Sequence, residues 1–482
     1  MHMYLFFFLL GRMAILNGLA FLIPLLCAFS WGEPAYLYFG PSMAVTLALG
    51  GLMMGFGRRH SKQLGVAGGA WYMVLVWVML GGVGMLPYLF SGALTVADAF
   101  FESISAYTTV GLSCAVGQAG DVPRSLVLWH GLMEWLGGLN FILLMVTIIP
   151  QVSGCFGLTL SVHQSISFSP MLGRMDIAAR QVGKIYAAIT VLSVLAYLLA
   201  GLSLFDACIS AFRSISTSGD APFSFMSGGN PALEWACAFS MLLACGNFLL
   251  YWKSFERRDL KSAFQDTELR VFLGVLLGTA LLVSFHLWKM GVYDGADSLR
   301  LGFFHVLSFY STSGFITADV SAWPDFDKFI LLLIVFVGGC IGSATGGLRV
   351  MRFIVLFKIA AQEMCHLLHP RMVISLKVSG VPVDMKIISR VLSYFFLFMA
   401  VFFVSTIIIS LSGMTPLQSM GVAAGCLTSA GATTHLFGVV EFSAEPAWLK
   451  AYCAFLMILG RLEIFSFLIV LQTAAQAFKR RW

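Results

Sequence analysis

The chain has 482 residues, 59% of them hydrophobic and 11% charged, with a formal net charge of +6 and a mean hydropathy of +0.89. Soluble domains carry about 25% charged residues, so the composition excludes a soluble protein and describes a polytopic membrane protein, whose positive balance says little about nucleic acid. The ten cysteines show no CxxC or metal-ligand spacing; Cys237, Cys245 and Cys453 fall inside apolar stretches and read as small hydrophobes, not as a disulfide framework or a metal site.

The N-terminal apolar run lacks a small-residue cleavage signal and is expected to stay as a first helix. About 20 apolar residues cross a bilayer. Full-length spans are expected near 4–29, 37–57, 68–91, 125–149, 183–204, 232–252, 269–289, 326–358, 388–412 and 447–475. Shorter apolar segments lie near 96–108, 206–217, 298–312 and 416–429. A dozen residues make about 18 Å of helix, too short for a core about 30 Å thick. Each short segment must therefore enter and return, or lie buried.

Each of them runs into a small, hydroxyl-rich turn with glycine. The turns are Thr108-Thr109-Val110-Gly111, Thr217-Ser218-Gly219, Thr312-Ser313-Gly314 and Ser429-Ala430-Gly431, roughly a hundred residues apart. Non-helical backbone at membrane depth survives only inside protein or beside water, so the four turns are expected to face one aqueous axis. The implied architecture is all-α: two extra helices over 1–62, then four helix–pore-helix–helix units over 63–160, 161–262, 263–370 and 371–482.

Basic residues set the orientation. Arg58, Arg59 and Lys62, then Arg174, Arg180 and Lys184, share one side. Lys253, Arg257, Arg258, Lys261 and Arg270 join them, followed by Arg371, Lys377, Lys386, Arg390 and the tail Lys479-Arg480-Arg481. That side is assigned to the cytoplasm, with both termini inside. The opposite side has few, such as Arg124, Arg300 and Lys328. All four short segments then enter from outside.

Glycine in each turn permits φ > 0 and a close approach of backbone to an ion. Rings of carbonyls can replace the water shell of a cation, and each short helix aims its partially negative end at the axis. A single such turn would read as ordinary small-residue packing; four copies on one side point to a cation pore. The stretch Gly338, Gly339, Cys340, Ile341, Gly342, Ser343, Ala344, Thr345, Gly346 and Gly347 interrupts the eighth span, since glycine is poor in helix interiors. It is expected to form an intramembrane gate below the filter; the alternative is a kinked packing helix. Arg461 and Glu463 lie near mid-membrane, where charge faces the bundle interior. Arg461 lines the pore as an electrostatic barrier, anchors the broken helix, or forms a structural pair, with Glu102 and Glu134 as candidate partners. His435, past the fourth turn, is given no role.

These residues resemble the TrkH-like branch of the Trk/Ktr/HKT potassium-transport superfamily over essentially the whole chain. The marks are Trp135-Leu136-Gly137-Gly138, the first turn, Gly314-Phe315 with Trp323-Pro324, the break Gly342–Gly347, His369-Pro370 and Gly460-Arg461-Leu462-Glu463. The resemblance implies potassium uptake through the four turns and a homodimer. It also implies a cytosolic TrkA-like regulatory ring that carries the nucleotide, NAD or ATP/ADP, while the chain itself holds no covalent cofactor. Ser218 stands where the family's second turn usually has the first of paired glycines. Ser429-Ala430-Gly431-Ala432-Thr433 replaces the usual Asn-Ile-Gly-Pro-Gly, and Asp220 adds a charge at the mouth. These departures leave room for a less selective Na/K transporter. A membrane enzyme would need a clustered nucleophile, base or metal set, and the sequence has no HExxH or GxSxG. An alternating-access carrier would show two inverted halves instead of four short pore segments.

Overall fold

The computed structural model describes residues 3–57, 66–114, 122–147, 175–219, 230–257, 266–369, 377–378, 381–383, 385–439, 442–462 and 464–479. Arg58, Arg59, Lys62, Arg174, Asp220, Arg258, Lys261, Pro370, Arg371, Glu463, Arg480 and Arg481 lie outside them. The described chain is helical apart from one small hairpin, β1 (Lys377–Val378) with β2 (Val381–Pro382).

The two extra spans are α1 (Met3–Ala20) with α2 (Leu22–Trp31), and α3 (Tyr36–Phe56). Glycines let α1 and α3 touch: a Cβ on Gly11 would stand 2.7 Å from the Gly50 carbonyl. Small residues are how helices approach closely where lipid removes the hydrophobic drive between them.

The first unit holds α4 (Val66–Gly84), α5 (Leu86–Phe90), α6 (Val96–Tyr107) and α7 (Arg124–Thr147). The extra helices brace it. Glu33 accepts from the backbone N–H groups of Arg124 at 2.9 Å and Ser125 at 3.1 Å, capping α7. Tyr107, at the end of α6, donates its hydroxyl to Asn17 Oδ1 at 2.9 Å.

The second unit holds α8 (Met175–Leu199), α9 (Leu204–Ser216), α10 (Pro231–Cys245) and α11 (Phe248–Arg257). The third holds α12 (Thr267–Lys289), α13 (Gly295–Tyr310), α14 (Asp325–Val337) and α15 (Val350–Leu368). The fourth holds α16 (Met385–Ser410), α17 (Pro416–Thr428), α18 (Ala447–Arg461) and α19 (Ile464–Lys479). The spans expected over 232–252, 326–358 and 447–475 are thus each two helices. The first breaks at Gly246-Asn247, the second at the glycine-rich stretch, and the third bends by 108° after Arg461. The corresponding helix of the first unit, α7, runs unbroken.

The short helices α6, α9 and α17 start alike. Thr95 accepts from Asp98 N at 3.3 Å, Ser203 from Asp206 N at 3.3 Å, and Thr415 from Gln418 N at 3.4 Å. A hydroxyl followed three residues later by a carboxylate or amide is a helix-start signature, and it marks three of the four repeats in sequence. Ion pairs then tie neighbouring units together. Lys450 meets Asp98 at 2.6 Å, Arg300 meets Glu234 at 2.6 Å, and Arg213 meets Glu134 at 3.3 Å.

Candidate functional site

The ends of the short helices carry the repeat. Val110, Ser218, Ser313 and Ala430 each donate their backbone N–H to the carbonyl five residues back, all at 3.0 Å. Each is preceded by a residue in left-handed backbone: Thr109 (φ 53), Thr217 (φ 60), Thr312 (φ 55) and Ser429 (φ 56). This is the helix stop that usually employs glycine, built here on a hydroxyl residue. Among the described residues only Arg349 (φ 75) is another non-glycine with such backbone.

Positive φ was expected at all four turn glycines. Gly111 (φ 76) and Gly314 (φ 75) have it, whereas Gly219 and Gly431 do not. Those two are glycine for space. A Cβ on Gly219 would run into the Ser313 carbonyl, and one on Gly431 would stand 2.6 Å from Val110 O. Gly431 N donates to Val110 O at 2.7 Å. A Cβ on Gly314 would lie 3.0 Å from Ala432 Cβ. Turns two and three, three and four, and four and one therefore touch directly.

Inner helices seat the turns through glycine as well. A Cβ on Gly137 would run into the Tyr107 carbonyl, and one on Gly138 would stand 3.0 Å from Ser216 Cα. One Gly-Gly step on α7 thus receives both the first and second turns. A Cβ on Gly460 would run into the Leu427 carbonyl, so α18 receives the fourth turn in the same way.

Directly against the turns lies the break between α14 and α15. Gly338 (φ 68), Gly342 (φ 80) and Gly347 (φ 75) let it fold back on itself. Gly346 N donates to Thr312 Oγ1 at 2.9 Å, and Thr217 Oγ1 donates to Ala344 O at 3.3 Å. A Cβ on Gly346 would run into the Thr428 carbonyl. Inside the break, Ser343 and Thr345 hydroxyls lie 2.6 Å apart, and Gly339 N donates to Thr345 Oγ1 at 3.2 Å.

The break is held from the side by the second unit's own break. Cys340 N donates to Cys245 O at 3.1 Å, Ala344 N to Ala244 O at 3.4 Å, and Phe248 N to Gly342 O at 3.2 Å. Two interrupted helices so satisfy each other's backbone groups at membrane depth. Glu268, fully buried at the start of α12, accepts from Ile341 N at 2.7 Å.

Arg461 closes the contact to the first turn. Its Nε donates to Thr108 O at 2.7 Å, Nη1 to Ala344 O at 3.0 Å, and Nη2 to Thr109 Oγ1. The guanidinium lies 4.3 Å from the Phe141 ring centroid, with Arg349 at 5.4 Å from that same centroid. The candidate partners Glu102 and Glu134 are elsewhere. Glu102 accepts from Ser113 Oγ and Cys114 N, both at 2.8 Å, and Glu134 from Ser218 Oγ at 2.6 Å. Among the described residues the hydrogen-bond partners of Arg461 are therefore uncharged, where a buried ion pair was one of the expectations.

Near His435 a cavity of about 310 Å³ is lined by Thr317, Asp319, Val320, His435 and Gly438. Hydrogen bonds from Ser321 hold the Asp319 carboxyl below its ordinary range. Among the described residues no group of three His, Cys, Asp or Glu could hold a metal ion.

A family model described as "Cation transport protein", TrkH, matches residues 41–479. The chain belongs to the TrkH family. It is 32% identical over 474 residues to "Trk system potassium uptake protein TrkH" of Salmonella typhimurium, covering 96% of this chain and 97% of that one. It is 30% identical over 475 residues to "Trk system potassium uptake protein TrkG" of Escherichia coli, covering 95% and 96%. The crystal structure of the potassium transporter TrkH from Vibrio parahaemolyticus superposes with a TM-score of 0.90 at 29% identity, covering 98% of this chain and 99% of that one. The bundle, with seven apolar spans among the described residues and an eighth if the bent α18–α19 pair crosses as one, is thus a TrkH-type membrane fold.

Proposed function

We propose that this TrkH-family chain takes up potassium through the axis on which its four turns meet. The observation that carries the reading is the fourfold repeat of one strained helix stop, at Thr109, Thr217, Thr312 and Ser429, in turns that touch one another. Backbone fixed so tightly offers oxygens in a set geometry, which is what a dehydrated cation needs. The filter comprises Thr108 to Gly111, Thr217 to Gly219, Thr312 to Gly314 and Ser429 to Gly431, with K+ as the transported substrate.

The break from Gly338 to Gly347 is the gate in this reading. It spans the foot of turns two, three and four, and Arg461 completes the closure at turn one. A guanidinium donating to Thr108 O competes for a carbonyl that a cation would use. The chain catalyses no reaction; it sits in the cytoplasmic membrane with both termini inside, as the distribution of basic residues directs. Its units run over 63–160, 161–262, 263–370 and 371–482. It works as a homodimer with a cytosolic TrkA-like ring, which supplies the nucleotide response.

A less selective Na/K transporter is the second reading. It is favoured by Ser218, whose hydroxyl is committed to Glu134, and by Gly431, which lacks the positive φ of Gly111. Liposomes with the purified chain and an imposed potassium gradient decide between them. Rubidium influx with little sodium influx supports potassium uptake, equal influx supports the second reading, and no influx with or without the regulatory ring overturns both.

A further inference from the structure

The break between α14 and α15 is rich in glycine, the residue with the most conformational freedom to lose. It keeps one shape only if its backbone groups find fixed partners. One of these partners belongs neither to a turn nor to the second unit's break. Glu268, in the first turn of α12, is fully buried and accepts from Ile341 N at 2.7 Å. The other side of that peptide bond is held as well, since Ser343 Oγ donates to Cys340 O at 2.6 Å. Met351 N, in the first turn of α15, meets the same Glu268 carboxyl group.

The carboxyl group of Glu268 does not serve its own helix. Asp266 caps α12 by accepting from Glu268 N at 3.3 Å. At α15 the position before the helix is Arg349, which makes no side-chain cap. Val350 N donates instead to Gly339 O at 3.2 Å. The first N–H groups of a helix need acceptors, and at α15 the break and Glu268 supply them. One buried carboxyl group thus joins α12, the break and α15.

Resting on the gate reading above, we propose that Glu268 is a positioning residue that holds the break in its blocking arrangement. A buried carboxyl group is costly unless it accepts hydrogen bonds, and at membrane depth a backbone N–H needs an acceptor. The two needs answer each other here. For the break to retreat from the turns, Ile341 N must leave Glu268, and a polar group is stranded on each side. The anchor also gives the break a handle. In the orientation that the basic residues direct, α12 begins at the cytoplasmic face, and α15 runs from the break to the exposed Leu367 and Leu368. A displacement of either end acts on the break through this carboxyl group, without passing through the filter.

The test is basal rubidium flux per folded molecule in liposomes, without the regulatory ring. Glu268→Ala is expected to leak about tenfold more than wild type, the order of one buried hydrogen bond lost. Glu268→Gln loses the charge that faces Arg349, as the alanine variant does, but keeps an acceptor for Ile341 N. Its flux should lie nearer wild type, so the difference between the two variants reports the hydrogen bond and not the charge. Glu268→Met fills the space without offering an acceptor; it should leak like the alanine variant and serves if that one does not fold. A second readout is local. Cys340, beside Ile341, is 2% exposed, and Cys237 on α10 is fully buried. Maleimide labelling, read by mass spectrometry of the peptides, should quicken several-fold at Cys340 in the leaky variants and stay slow at Cys237. Wild-type flux in the alanine and methionine variants, a glutamine variant as leaky as alanine, or labelling that rises equally at both cysteines overturns the proposal. Gly346→Ala separates this failure from that of the gate reading. If it leaks while Glu268→Ala does not, only the anchor falls; if neither leaks, the gate reading falls with it.

Discussion

Replacing Arg461 with glutamine separates a gate charge from a structural strut, because the structure fixes what each would lose. The guanidinium donates to Thr108 O at 2.7 Å and Ala344 O at 3.0 Å. A cation held by the Thr108 carbonyl would lie about 5 Å from the guanidinium charge, and at an effective dielectric of about 20 the repulsion is about 3 kcal/mol. That is more than a hundredfold in occupancy of the innermost position. The stability cost has a separate source. Among the described residues no carboxylate pairs with Arg461. The substitution forfeits charge-assisted hydrogen bonds to neutral acceptors, about 1.5–3 kcal/mol each, and the amide can recover one of them. Rubidium flux into liposomes, divided by the folded fraction from size exclusion, is expected to rise about tenfold; the residual block by the break accounts for the gap from the electrostatic figure. Unchanged flux per folded molecule, with or without a fall in Tm, refutes the reasoning.

Gly137→Ala should push the first turn off α7, costing about 1–3 kcal/mol of overpacking and lowering the potassium-to-sodium permeability ratio. Gly82→Ala, with open space around it, is the control expected to leave Tm and permeability alone. Gly346→Ala drives a methyl group toward the Thr428 carbonyl, so the break must retreat and basal rubidium flux should rise; lower flux in a folded variant would argue for plain packing. Thr312→Gly removes left-handed strain of about 1 kcal/mol together with a hydrogen bond of similar worth. Its Tm should barely move while flux rises, and unchanged flux would mean that the contact to Gly346 N does not hold the gate.

The repeat and the membrane class were legible because both depend on local pattern. Short apolar segments ending in hydroxyl-glycine turns show in the sequence at a spacing of roughly a hundred residues. The break at Gly338 to Gly347 was legible for the same reason. The backbone state was not. Threonine rarely adopts left-handed backbone, so the sequence pointed to the glycines, and the strain sits two residues earlier. The breaks after Cys245 and Arg461 were hidden inside long apolar runs, since hydropathy cannot distinguish one straight helix from two angled ones. Arg461 could be placed near the membrane centre but not paired, because its partners are carbonyls contributed by residues 117 and 353 positions away. The Gly137-Gly138 step stood out as a family mark; that each glycine faces a different turn needed the packing.

The choice of hydroxyl residues at the strained position has a physical reason in what those hydroxyls touch. Left-handed backbone costs of order 1–3 kcal/mol per non-glycine residue, and glycine would remove that cost at each turn. Yet the residues there are Thr109, Thr217, Thr312 and Ser429. Three of the four hydroxyls engage Arg461 or the break. Thr109 meets Arg461, Thr217 meets Ala344 O, and Thr312 meets Gly346 N. Had the turns existed only to present carbonyls, glycine would serve better at every one. In the proposed reading, the retained strain means that the filter and its closure share one layer of side chains. A change in one then reaches the other without any longer path, and loosening the gate must free the same hydroxyls that border the inner end of the filter.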